Sequence, residues 1–142
     1  MAEFTLFPAK IVTPEGVLFD GEVQELEVTS VTGGLGILAR RSPVVADLKV
    51  GRVRAKHEDG TFTTWATDEG FAQASDSTAT VVVEDAILLA DIDEAKAAAI
   101  VAEGQERLAA VDSSGANSHE TKAAKRMIAW GEHLATFREH NR

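Results

Sequence analysis

Along the first 87 or so residues, apolar and polar positions alternate over short distances, and Thr, Val and Phe are frequent. Leu26-Glu27-Val28-Thr29 and Val53-Arg54-Ala55-Lys56 alternate strictly, and Phe62-Thr63-Thr64-Trp65 does so more loosely. A period of two turns one face of a strand to a core and the other to solvent. Turn residues recur at Pro14-Glu15-Gly16, Asp20-Gly21, Gly33-Gly34, Gly51, Asp59-Gly60 and Asp76-Ser77. Many short strands with turns every 8 to 12 residues or so predict a sandwich or a barrel. Asp59-Gly60, between Lys56-His57-Glu58 and Thr61-Phe62-Thr63, predicts a two-residue hairpin loop, since glycine tolerates positive φ.

After about Leu89 the period lengthens and the texture becomes rich in Ala, Glu and Lys, without Pro. Asp91, with Glu94 three residues on, predicts a capping box. Ala97, Val101, Leu108 and Val111 then fall near one helical face. The run Asp112-Ser113-Ser114-Gly115-Ala116 breaks the helix, Asn117 with Glu120 offers a second capping box, and Met127, Trp130, Leu134 and Phe137 recur at spacings of 3, 4 and 3. The pattern predicts a helical hairpin. Its two stripes are thin and Ala-rich, so it buries little area alone and needs a further surface, its own β unit or a partner.

A chain of 142 residues suits one domain or two very small ones. Absence of cysteine removes disulfides and thiolate chemistry. The formal net charge of -9 speaks against nucleic acid and against an anionic membrane surface, because both select cations. Residues 1–86 carry 7 basic and 14 acidic side chains, and residues 87–142 carry 7 and 9, so the excess negative charge is concentrated in the strand-rich part. The start, Met1 to Phe7, has neither the basic-then-apolar pattern of a secretion signal nor transit-peptide character. The longest apolar runs, Val81–Val83 and Ala86–Ala90, are far below the ~20 residues of a membrane span. A soluble or peripheral protein is expected, with no direct membrane insertion.

Candidate chemistry is sparse. No two of His57, His119, His133 and His140 are spaced four apart as helical metal ligands are, and no metal site is expected. Gly33-Gly34-Leu35-Gly36 lacks the Gly-Lys-Ser/Thr of a phosphate-binding loop and reads as two strands meeting at a turn. No serine stands in a nucleophile elbow, and Glu84-Asp85 and Asp91/Asp93 read as a strand end and a helix cap. No catalytic residue is expected. Two basic features remain: Arg40-Arg41 after the glycine-rich turn, a contact loop or simply a solvated one, and Lys122, Lys125 and Arg126 on the second helix. Positions 122 and 126 lie one turn apart, and the group is either a polar face or a docking point for acidic or phosphate groups.

Gly33-Gly34-Leu35-Gly36-Ile37-Leu38, followed by Ser42-Pro43-Val44-Val45, resembles the glycine-leucine-glycine-isoleucine segment and following proline of the F-type ATP synthase epsilon subunit. Leu48-Lys49-Val50-Gly51-Arg52-Val53-Arg54, Gly70-Phe71 and Thr80-Val81-Val82-Val83 resemble that family's later strands in order. Ile92-Asp93-Glu94-Ala95-Lys96-Ala97 falls where the family has isoleucine-aspartate, two variable residues, arginine and alanine. Two departures stand out: Ala39-Arg40-Arg41 replaces a common proline-glycine-histidine, and Lys96 replaces arginine, which loses a planar five-donor fork.

The resemblance implies an α+β chain: an N-terminal antiparallel β-sandwich of about ten strands (residues 1–88), then a C-terminal two-helix antiparallel hairpin (residues 89–142). It implies a non-catalytic central-stalk subunit, bound to the gamma subunit and resting on the c-ring, that couples rotation to the alpha/beta hexamer. Its hairpin would inhibit ATP hydrolysis when extended. The location implied is the cytoplasmic side of a bacterial cell membrane, as a peripheral protein, with a plastid origin also open. The Arg40-Arg41 loop belongs to the surface facing the c-ring. Some bacterial members bind ATP at the helix-start motif, which carries over to Ile92, Asp93, Lys96 and Ala97, with Arg126 on the second helix. No other cofactor is implied. The rival reading is a freestanding β-sandwich binding module whose helical tail dimerises, and an enzyme comes third.

Overall fold

The computed structural model describes residues 5–39, 42–75, 78–111 and 119–140, with side chains as far as Phe137. It divides into two compact units, Met1–Leu88 and Leu89–Arg142.

The first unit holds nine strands among the described residues, one fewer than the ten or so expected: β1 (Phe7–Thr13), β2 (Gly16–Val23), β3 (Glu25–Ser30), β4 (Gly33–Leu38), β5 (Val44–Lys56), β6 (Phe62–Thr67), β7 (Gly70–Ala74), β8 (Ala79–Val83) and β9 (Ala86–Leu88). They run in the order β2-β1-β8-β7-β5-β3-β4, and β6 joins β5 to β9. The thirteen-residue β5 is the hinge of the arrangement. Its first half, Val44–Leu48, pairs with β7, and its second half, Gly51–Lys56, pairs with β6. One strand thereby belongs to both layers, as at the corners of sandwiches. All strand pairs are antiparallel except β1 with β8, which is parallel and departs from a purely antiparallel sandwich. Phe7, Ile11, Val23, Leu26, Ile37, Val53, Trp65, Val81 and other inward residues from all nine strands form the core. Each buried side chain of Val or Leu size contributes about 1.5–3 kcal/mol.

Several turns differ from the sequence reading. Thr13 pairs with Gly16 across Pro14-Glu15, and Ser30 with Gly33 across Val31-Thr32. Gly16 and Gly33 have φ of 134° and 130°, values that L side chains avoid. The Asp59-Gly60 loop is longer than two residues. His57 N–H donates to Thr61 O (2.8 Å) and Gly60 N–H to His57 O (2.9 Å), leaving three residues in the loop and φ 85° at Gly60. That is the three-residue hairpin in which glycine takes the left-handed position. Asp20-Gly21 lies inside β2 and Gly51 inside β5, so neither is a turn. A Cβ at Gly51 would run into the Thr29 side chain, where β3 and β5 change register, so close approach explains this glycine. Asp76-Ser77 lies outside the described residues.

The second unit opens with a 3-10 turn at Leu89–Asp91, then α1 (Glu94–Ala110) and α2 (His119–His140). The cap of α1 is Asp93, two residues later than the expected Asp91. Asp91 is taken into the 3-10 turn, which leaves Asp93 in extended geometry to receive the first helical N–H groups. Asn117 and the break at 112–116 lie outside the described residues. Trp130, Leu134 and Phe137 are buried and Met127 is half-buried, while Ala97 is the buried apolar residue of the α1 stripe and Val101, Leu108 and Val111 are half-buried.

Candidate functional site

The helix-start motif is built by the turn that precedes it. Ile92 N–H donates weakly to Leu89 O (3.4 Å), which folds Ile92 inward to 4% exposure. Asp93 then holds φ -112° and ψ 118°, and its carboxylate accepts from Ala95 N–H (2.8 Å) and Lys96 N–H (3.4 Å). The carboxylate is therefore occupied with the cap. Ala97 is buried, and Lys96 is exposed.

Two glycines fix how α1 and α2 align. A Cβ on Gly104 would lie against Ile128 and Ala124, and one on Gly131 against Val101 and Ala97. The helices are antiparallel, with Gly104 level with about residue 126 and Gly131 with about residue 99. Lys96 and Arg126 are thus about eight residues apart along the hairpin, roughly 12 Å at 1.5 Å per residue. Both are exposed, as are Lys122 and Lys125. A cleft of about 340 Å³ between the helices is lined by Arg107, Ala110, Val111, His119, Glu120 and neighbours, and none of the five motif residues lines it.

Arg40 and Arg41 lie outside the described residues. Before them Ala39 is half-buried, and after them Ser42 and Pro43 are exposed.

The sandwich carries a feature that the sequence reading missed. Val17 pairs with Val12, Val12 with Val82, and Val82 with Phe71, across β2, β1, β8 and β7. All four point away from the core, since Ile11, Val81 and Ala72 beside them are the buried ones. Val17 is 57% and Phe71 41% exposed, Leu18 beside Val17 extends the apolar surface, and Asp47 across from Phe71 ends it. Beside it runs a polar row, Asp20–Lys10–Thr80–Gln73. An apolar row that crosses four strands on the solvent side is a mark of a binding face. Its signal lay in the unbroken Val81-Val82-Val83, because a strand with one wet face should place a polar residue at the middle position.

The second layer's outer face is mixed, with charged side chains beside the exposed Leu38 and Phe62. Glu27 on β3 takes a two-pronged contact from Arg54 on β5, Nε to Oε2 at 2.9 Å and Nη2 to Oε1 at 3.0 Å. The Arg54 guanidinium also lies 4.3 Å from the centre of the Phe62 ring. Fork and ring hold these strands' outer side chains in one geometry.

Comparison with known proteins places this sandwich. Residues 6–89 match the family model described as ATP synthase, Delta/Epsilon chain, beta-sandwich domain. The chain belongs to the ATP synthase delta/epsilon chain family. Within the family it is 37% identical over 98 residues to the ATP synthase epsilon chain of an Exiguobacterium species, covering 69% of this chain and 72% of that protein. With the epsilon chain of Bacillus subtilis the identity is also 37% over 98 residues, covering 69% and 74%. The fold is similar to a chain in the Euglena gracilis mitochondrial ATP synthase (OSCP/F1/c-ring), with TM-score 0.71, 17% identity, and coverage of 96% of this chain and 84% of that one. A chain in the Tetrahymena thermophila mitochondrial ATP synthase central stalk and c-ring gives TM-score 0.56 at 11% identity, covering 96% and 99%. The family match spans the sandwich, and α1 and α2 lie beyond it.

Proposed function

We propose that this delta/epsilon-family chain is a non-catalytic central-stalk subunit of a proton-translocating F-type ATP synthase, held at the cytoplasmic side of a bacterial membrane through the complex. The observation that carries the reading is the family match over the whole sandwich. The sandwich binds the gamma subunit and the c-ring, and the hairpin lowers ATP hydrolysis by the alpha/beta hexamer. The freestanding-module reading loses its support, since the sandwich is that of a known assembly's subunit.

The apolar row of Val17, Val12, Val82 and Phe71 is the surface assigned to gamma. Exposed aromatic residues at the centre of an interface carry a large share of its binding energy. Phe71→Lys should weaken capture of gamma by tenfold or more while leaving the thermal unfolding of the chain nearly unchanged, because Phe71 faces solvent and its cross-strand partner is Asp47. Capture of gamma by the unaltered chain is the primary test. A chain that passes through the column alone, at twice its own mass, would restore the freestanding dimer.

A regulatory ATP would use Ile92, Asp93, Lys96 and Ala97 at the start of α1 and Arg126 on α2. Lys96 and Arg126 supply the phosphate-facing cations, and their long side chains would reach toward one another across the roughly 12 Å between their levels. Calorimetry with millimolar ATP tests this site. Binding heat that disappears in Arg126→Ala supports it, and heat that persists unchanged removes it.

A further inference from the structure

The two helices of the hairpin come close to one another at two glycines. Gly104 lies in the middle of α1 and Gly131 in the middle of α2, and both are buried. A Cβ on Gly104 would stand 2.7 Å from Ile128 Cγ1, 3.1 Å from Ile128 N and 3.2 Å from Ala124 O. A Cβ on Gly131 would stand 2.7 Å from Val101 Cγ2, 2.9 Å from Val101 N and 3.0 Å from Ala97 O. The contact is reciprocal, since each glycine faces the other helix's backbone as well as a β-branched side chain. A rotamer change relieves only the side-chain part, so an added methyl has to push the helices apart.

Glycine is also the wrong residue for a helix that stands alone. It disfavours a helix interior relative to alanine by roughly fivefold in population. Elsewhere the hairpin uses alanine freely, at Ala97-Ala98-Ala99 and Ala123-Ala124. That propensity cost falls on α1 and α2 alike whether they are packed or parted, so the two glycines favour the closed hairpin through close approach alone.

We propose that Gly104 and Gly131 form a two-point clasp that sets the balance between the closed hairpin and a form in which α1 and α2 have parted. The regulatory consequence rests on the reading above, in which the hairpin acts on ATP hydrolysis; the clasp itself does not.

The test uses the full chain, which has no native cysteine to interfere with labelling. Glu94→Cys and Thr136→Cys introduce two exposed positions at nearly the same level of the closed hairpin, so spin labels on them report closure as a short distance. Gly104→Ala with Gly131→Ala should move most molecules to long distances while helical circular dichroism is kept or raised. An unchanged short distance in that double variant overturns the clasp. Gly104→Ala alone should open a smaller fraction than the double variant, because one of the two close approaches is kept. A single variant that opens as fully as the double one overturns the two-point character of the clasp. In reconstituted ATP synthase the double variant should hydrolyse ATP several-fold more slowly. A hairpin that opens without changing hydrolysis leaves the clasp standing and instead defeats the regulatory reading.

Discussion

Gly51 and Asp59 show how single residues carry this sandwich. At Gly51 an added Cβ would press on the Cβ, Oγ1 and Cγ2 of Thr29, whose hydroxyl accepts from Arg52 N–H (3.1 Å) and faces Arg52 O (3.2 Å). Thr29 is tied in place by those contacts, so Gly51→Ala is expected to destabilise the chain by about 1–3 kcal/mol in urea unfolding, the usual cost of overpacking. Gly36→Ala should cost much less, because its nearest neighbour is the end of the flexible Glu25 side chain at 3.2 Å. Asp59 is a test of pH dependence. Its carboxylate accepts from Thr61 Oγ1 (2.6 Å) and Thr61 N–H (3.0 Å), and the Thr61 hydroxyl foremost holds it below the ordinary aspartate range. A carboxyl depressed by folding lends its support fully above the unfolded pKa, near 4, and loses it as pH falls through the depressed value. Titration by NMR should show Asp59 protonating below the ordinary aspartate range, with the Thr61 amide signal moving in step. In Thr61→Ala the depression should shrink, the backbone N–H of residue 61 keeping the remainder.

At the scale of elements, Asp93 is the cap on which α1 depends. Asp93→Ala should reduce hairpin stability by about 1 kcal/mol, read from the helical signal on heating. Asp91→Ala should cost far less, since the 3-10 turn makes no cap of it. The sequence placed this cap two residues early for a physical reason. Both aspartates stand before an acidic residue and an apolar run, and only the fold of Leu89–Asp91 decides which one faces free N–H groups. The strands were legible where one face is wet, as in β3 and the end of β5, because alternation there reports burial directly. Asp20-Gly21 and Gly51 were misread as turns because glycine marks close approach as readily as it marks a bend. The apolar row escaped notice because its four members come from β2, β1, β8 and β7, and only the pairing aligns them. The same holds for Gly104 and Gly131, each an unremarkable helical residue until the partner helix is in view. Every member of the main core cluster lies between Phe7 and Ala86. A chain ending at Ala90 is therefore expected to unfold cooperatively with its β signal intact, whereas the isolated hairpin should be only marginally helical. Loss of the cooperative transition in the shortened chain would show that the sandwich depends on the helices.

For the whole molecule, charge is the quantity through which the proposed regulation would act. The chain carries -9 overall, most of it in the strand-rich part, while Lys122, Lys125 and Arg126 gather three cations within about one turn of α2. All three side chains are exposed on the helix surface. Under the proposed function these cations bind acidic surface, and what they contribute depends on which surface the hairpin meets. A single exposed pair is worth about 0–1 kcal/mol, so no one of the three decides between two hairpin states. Three acting together shift a balanced equilibrium by about 1–2 kcal/mol, near tenfold in population. Replacing all three with alanine also keeps α2 intact, since alanine is the best helix former. The triple variant is expected to weaken inhibition of ATP hydrolysis while assembly and proton-driven synthesis persist. The difference between variant and unaltered complex should shrink from low to moderate salt, because exposed charges are screened over about 8–10 Å at physiological ionic strength. Hydrolysis assayed on reconstituted complex across a salt series separates the outcomes. An unchanged rate at low salt removes these residues from regulation, and a complex that fails to assemble places them in a structural interface instead.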